Sequence, residues 1–173
     1  MNNSRLRYIV YTAILLALAL IIGVIENLIP AIIPSLPFIK VGFSNIVIIF
    51  AIVAIGTPSA LIIAIVKSIL VPLFVGNPIM IAYSFSSSLT ATLIMCILLN
   101  VRTFGIPVVS VIGAIIHITM QLLVASLMTN TFMVFSYFFY LALVAIISGL
   151  ATGTISYILI RFFPKNIINI KKD

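Results

Sequence analysis

Long apolar runs dominate this chain, and nearly every polar cluster falls at a break between them. The pattern predicts six helices, over residues 8–29, 41–55, 58–74, 78–99, 106–128 and 133–163. Pro30, Pro34 and Pro37 mark a stretch that cannot be regular helix. Gly56-Thr57-Pro58 reads as a tight turn with Pro58 at a helix start. Gly76-Asn77-Pro78, the polar 100–105 loop carrying Arg102, and Thr129-Asn130-Thr131 supply the remaining breaks. Pro164 and a basic tail follow the last segment. Most runs approach the roughly 20 residues that cross a bilayer, while the second is short for a span. Strand-length alternation is absent, which argues against an outer-membrane barrel. The reading is an all-α, polytopic membrane bundle forming one domain over residues 1–173.

Composition sharpens this. Hydrophobic residues make up 64% of the chain and charged residues 6%, more apolar surface than a soluble domain needs. The first apolar run is too long for a signal peptide and lacks a convincing small-x-small cleavage site, so it is expected to be a retained helix. The single cysteine, Cys96, sits in an apolar run and reads as packing. The net charge of +7 does not point to nucleic acid, because the basic residues gather mainly at the termini beside apolar helices. With both termini on one side, that side holds Arg5, Arg7, Arg102, Arg161, Lys165, Lys171 and Lys172, against Lys40 on the other. This asymmetry predicts cytoplasmic termini in a prokaryotic plasma membrane.

Between Arg7 and Arg102 the chain has three charged side chains, Glu26, Lys40 and Lys67. A charge within a membrane helix costs at least about 2.5 kcal/mol and usually marks a functional position. Helical rise places Lys67 roughly 14 Å past Pro58, and His117 roughly 15 Å past Pro107, with Gln121 one turn further on the same face. Ser86, Ser87 and Ser88 enter from the opposite end, where Glu26, Asn27, Lys40 and Asn45 also lie. Polar groups from five segments therefore share one layer, from midplane to outer surface, which predicts a pocket open to the outside. Each has a plainer alternative. Glu26 and Lys40 could sit at the interface, Lys67 could snorkel, His117 could be packing, the serines could bond their own helix, and Tyr83 and Tyr137 could belong to an aromatic belt.

Stripes of small residues are the second signal. The first segment carries Ala13-x-x-x-Ala17 and the last carries Ala145-x-x-x-Gly149-x-x-x-Gly153, spacings that let helices approach closely. At 100° per residue, Glu26 lies about 200° around its helix from the Ala13/Ala17 stripe. If Glu26 faces the pocket, the stripe faces lipid or a partner.

Three clusters carry a family resemblance: Gly23-x-x-Glu26-Asn27-x-x-Pro30, Pro37-x-x-Lys40-x-Gly42-x-x-Asn45, and His117-x-x-x-Gln121. With six helices and the alanine stripe, the chain resembles the S components of energy-coupling-factor (ECF) transporters. It is most similar to the Gx transporter family, often labelled heptaprenyl diphosphate synthase component I. It departs from the family pattern at Val41, Phe43 and Ser44, and has Lys67 where arginine is common. The resemblance implies a membrane subunit that captures a small nutrient or cofactor precursor between its helices, under a closing 30–40 loop. It then topples and releases the solute inward. It also implies partners: a transmembrane T subunit docking on Ala13 and Ala17, and two ABC ATPases. The implied binding set is Glu26, Asn27, Lys40, Asn45, Lys67, Tyr83, Ser87, His117 and Gln121, with Glu26 and Lys67 balancing each other. Two lysines against one glutamate favour an anionic or acceptor-rich ligand.

Prenyl transfer by this chain alone is excluded on chemistry. Magnesium diphosphate needs several carboxylates, and the chain has one glutamate and one terminal aspartate, Asp173. No Gly-rich Lys-Ser/Thr loop for ATP is present either. Neither a metal nor an organic cofactor is expected. Two other readings stay open: a membrane accessory protein of isoprenoid or quinone synthesis, and a stand-alone proton-coupled carrier using Glu26 or His117.

Overall fold

A computed structural model describes residues 3–30, 39–101 and 104–162. They form six α-helices: α1 (Asn3–Leu28), α2 (Asn45–Ala54), α3 (Thr57–Phe74), α4 (Met80–Val101), α5 (Ile106–Thr129) and α6 (Phe138–Phe162), the last entered through a 3₁₀ turn, Phe132–Tyr137. No strand occurs among the described residues. Five spans are long and apolar enough to cross a membrane; α2 is not. The prolines at 34 and 37, Arg102, and the basic tail with Lys165, Lys171 and Lys172 lie outside the described residues, as does the expected closing loop from 31 to 38.

The helices pack as a closed ring in which α1 meets α3, α3 meets α4, α4 meets α5 and α5 meets α6. Helix α2 meets α6, α3 and α1. Seven of its ten residues are buried, which fits a helix apolar on all sides and explains how so short an element holds the interior. One apolar core runs from Ala19 through Ile48 and Ile63 to Met95 and Val109. A second joins Tyr83, Ile118, Leu122 and Leu141.

The small-residue stripe of α6 lies on α5. A Cβ at Gly149 would stand 2.7 Å from the Val111 Cα, and one at Gly153 2.7 Å from the Pro107 Cα. Backbone cannot yield as a flexible side chain does, so only glycine permits this approach. Ser110 and Thr152 share a 2.9 Å hydrogen bond across the seam, and Ser156 reaches the Ile46 carbonyl at 3.2 Å.

Helix α2 begins at Asn45, later than the 41–55 segment predicts. The reason is tertiary. Residues 41–44 are buried or half-buried non-helical backbone, with Gly42 at a φ of +84°. Such backbone survives at membrane depth only where protein groups satisfy it. Gly42, Phe43 and Ser44 use their carbonyls to start α2, accepting from Asn45, Ile46 and Val47 at 2.9, 3.1 and 3.2 Å. The amide groups of this segment turn the other way, toward side chains.

Candidate functional site

Three helices tie down the turn at residues 40–45. Glu26 lies near the C-terminal end of α1, on the face that also buries Thr12, Ala19 and Gly23. Its carboxylate accepts the backbone N–H of Gly42 and, at 3.1 Å, that of Phe43. From α5, Gln121 Oε1 accepts the Lys40 N–H at 3.1 Å. From α3, Lys67 Nζ donates to Ser44 Oγ at 2.6 Å and to Asn45 Oδ1 at 3.3 Å. Gly42 is required twice over. Its φ is left-handed, and a Cβ would lie 2.9 Å from Asn45 Nδ2 and 3.4 Å from the His117 ring.

The expected balance between Glu26 and Lys67 is an electrostatic attraction between two buried charges and not a direct hydrogen bond. Both are buried, yet neither makes its hydrogen bonds to the other. The anion is turned onto two peptide donors and the cation onto two neutral acceptors. The turn is held by both. Both charges draw their hydrogen bonds from a single short segment, which makes that segment the organising element of the site.

The turn roofs a cavity of about 40 Å³. A water needs only about 10–15 Å³, so this space holds a few atoms. Glu26, Asn27 and Gly23 of α1 line it, with Lys40, Gly42 and Ser44 of the turn. Helix α3 adds Lys67, Val71 and Pro72; α4 adds Met80, Ser84 and Ser88; α5 adds His117 and Gln121. These positions lie toward the C-terminal ends of α1 and α5, beyond the middle of α3, and at the N-terminal half of α4. They share the end of the bundle remote from the N-terminus. A second recess of about 30 Å³ shares Glu26 and Lys40 with the first, and Ile29, Pro30, Ile39, Val41 and Phe43 complete its walls.

Hydrogen bonds fix most of these groups. Asn27 Nδ2 donates back to the Gly23 carbonyl at 2.7 Å. Gln121 Oε1 is occupied by the Lys40 amide, so its Nε2 donates to His117 Nε2 at 3.1 Å. The ring proton of His117 therefore belongs on Nδ1. Ser88 Oγ and His117 Nδ1 are buried side-chain atoms with no hydrogen-bond partner among the described residues.

Of the residues singled out in the sequence, Glu26, Asn27, Lys40, Lys67, His117 and Gln121 meet around this cavity. Asn45 stands behind them, bonded to Lys67. Tyr83 and Ser87 do not line it. Ser87 Oγ is spent on the Tyr83 carbonyl at 2.6 Å, and Tyr83 packs in the second apolar core. The rotation of α4 decides this: Met80, Ser84 and Ser88, each one turn apart, face the cavity, while Tyr83 and Ser87 lie on the neighbouring stripe. Sequence reasoning missed Ser84 and the role of Gly42 and Ser44. The 80/84/88 spacing could have found the first; nothing local signals the others.

Ala13 and Ala17 are exposed, on the side of α1 opposite the buried Glu26. Ile14, Leu18, Ile21 and Ile25 extend the same uncovered apolar face.

The comparisons with known proteins agree with the membrane bundle. A family model described as heptaprenyl diphosphate synthase component I matches residues 15–159, most of the chain and all of the cavity-lining positions. No curated protein and no solved structure matches the chain.

Proposed function

We propose that this chain, which belongs to the heptaprenyl diphosphate synthase component I family, is the solute-binding membrane subunit, or S component, of an ECF-type importer. The observation that carries the reading is the cavity. A lysine, a histidine, a glutamine and a glutamate converge in an otherwise apolar bundle, under a turn pre-set by hydrogen bonds from three helices. Membrane helices rarely bury such groups without a ligand or ion to handle. A preformed site also binds with less ordering cost than a flexible one.

The chain works as a binding unit and not as an enzyme. Its two acidic residues, Glu26 and Asp173, cannot assemble a magnesium-diphosphate centre, and Glu26 is committed to two backbone amides. Energy comes from a T subunit and two ATPases. The T subunit docks on the exposed Ala13/Ala17 face of α1, away from the cavity, so capture and assembly use different sides of one helix. The membrane is the prokaryotic plasma membrane, the termini are cytoplasmic, and the solute enters from outside.

Affinity purification of the tagged chain from its own cells tests this. Mass spectrometry should find a small molecule held by the chain, and a T subunit with ATPases in the same eluate. A second reading follows the family's description and makes the chain an accessory component of a prenyl diphosphate synthase. It would be favoured by co-purification of a soluble prenyl synthase subunit, with no ATPase and no retained solute.

A further inference from the structure

We infer that the cavity takes the carboxylate of a small monoanionic solute, held by Lys67 and Ser88, with Glu26 as a positioning residue that never touches it. This rests on the solute-binding reading above and names the ligand's chemical class.

The unused hydrogen-bonding positions on the cavity wall give the argument. An ammonium has three donors. Lys67 uses two, on Ser44 and Asn45, and both acceptors are neutral. Its remaining N–H has no hydrogen-bond partner among the described residues, and the nearby anion, Glu26, spends its hydrogen bonds on two peptide amides. Ser88 is 1% exposed, lines the same cavity, and its hydroxyl is unpartnered. The buried acceptors nearby are already occupied. Glu26 receives Gly42 and Phe43, Gln121 Oε1 receives Lys40, and His117 Nε2 receives Gln121. The unpartnered groups buried deepest on the wall, the third Lys67 N–H and the Ser88 hydroxyl, can both donate, so the group that suits them is an acceptor.

Charge selects the kind of acceptor. Two lysines and one glutamate line the cavity, leaving one positive charge. A carboxylate neutralises it, whereas a phosphate monoester dianion would leave a buried excess of negative charge beside Glu26. Size agrees: the cavity of about 40 Å³ admits a group of a few heavy atoms. The same set explains why Glu26 does not repel such a ligand, because its charge is already turned onto two peptide dipoles.

The chain has a single histidine, His117, and it lines the cavity, so one labelled imidazole reports on the site alone. We would titrate detergent-solubilised protein carrying ¹⁵N-histidine with acetate, acetamide and methyl phosphate at constant ionic strength. Acetate should shift the His117 signal saturably, while acetamide, of the same shape but uncharged, should not. In Ser88→Ala the apparent Kd for acetate should rise roughly tenfold or more, as expected for losing a hydrogen bond to a charged group. Lys67→Gln should abolish the response, and Ser88→Ala alone decides the matter if Lys67→Gln does not fold. Equal responses to acetate and acetamide, a stronger response to methyl phosphate, or an unchanged Kd in Ser88→Ala would each overturn the assignment. The molecule recovered by mass spectrometry separates the two levels of inference. A retained solute with no carboxylate sinks this proposal and leaves the solute-binding reading intact. A chain that retains nothing and responds to no probe sinks both.

Discussion

Replacing Glu26 by glutamine tests the central claim that one carboxylate holds the turn above the cavity. In the native chain its two oxygens accept the amides of Gly42 and Phe43, and the residue is 7% exposed. Glutamine keeps the shape and one acceptor oxygen. Its second terminal atom is an NH₂, so one of the two peptide donors is left facing a donor. Two charge-assisted bonds, each contributing about 1.5–3 kcal/mol net, become one neutral bond of about 0.5–1.5 kcal/mol beside an unsatisfied buried N–H. Relief from burying a charge offsets part of this. The local loss comes to about 2–4 kcal/mol at the turn. If the turn opens locally, exchange of the Gly42 and Phe43 amide hydrogens should accelerate roughly 30- to 1,000-fold, at tenfold per 1.4 kcal/mol. Amides in the α5–α6 seam, such as those of Ala114 and Gly149, should change far less. Hydrogen exchange with mass-spectrometric readout on protein in micelles resolves the two regions. Unchanged protection at residues 42–43, or equal acceleration everywhere, would show that Glu26 does not anchor the turn.

Four further outcomes follow from the same geometry. Glu26→Gln and Lys67→Met should destabilise the fold by less together than the sum of their separate effects, with a coupling of about 0.5–2 kcal/mol, because both grip one turn; strict additivity in thermal unfolding would mean they act independently. Gly42→Ala should lower stability by about 1–3 kcal/mol, through its left-handed φ and the approach to Asn45, and a variant with native Tm would contradict the described backbone. Ala13→Leu with Ala17→Leu should change stability by less than about 0.5 kcal/mol and leave the His117 signal in place, while reducing recovery of a T subunit; loss of solute binding with normal assembly would reverse the assignment of faces. A cysteine at Thr129, in a Cys96→Ser background, should react with an impermeant thiol reagent in intact cells, and one at Arg5 only after the cells are opened; the reverse pattern would invert the topology.

Much of the fold was legible in the sequence because its signals are local. Glycine or proline marks most of the turns, as at Gly56-Thr57-Pro58 and Gly76-Asn77-Pro78, and its effect on the backbone is set by the residue itself. That is why the segments at 58–74 and 106–128 fall within a residue or so of α3 and α5. The cost of a charge in a membrane helix is also local, so Glu26, Lys67 and His117 stood out before any packing was known. Helix periodicity placed Ala13 and Ala17 on the side away from Glu26, as the exposure of both alanines shows.

Tertiary structure alone decided the rest, because it depends on which groups meet. An amphipathic helix announces its inward face, but α4 is apolar and serine-rich around much of its circumference. Its rotation, and with it the choice of Ser84 and Ser88 over Tyr83 and Ser87, was settled by contacts with α3 and α5. Opposite charges in one layer suggested a Glu26–Lys67 pair. The two charges do attract each other, but their hydrogen bonds go to the 42–45 turn, whose peptide N–H groups at 42 and 43 would otherwise be buried without acceptors. The late start of α2 has the same origin: Gly42 takes a left-handed φ, and an α1 carboxylate accepts the amides of Gly42 and Phe43 ahead of the helix. Sequence thus determined which side chains had to find partners in the membrane, and the fold determined which partners they found.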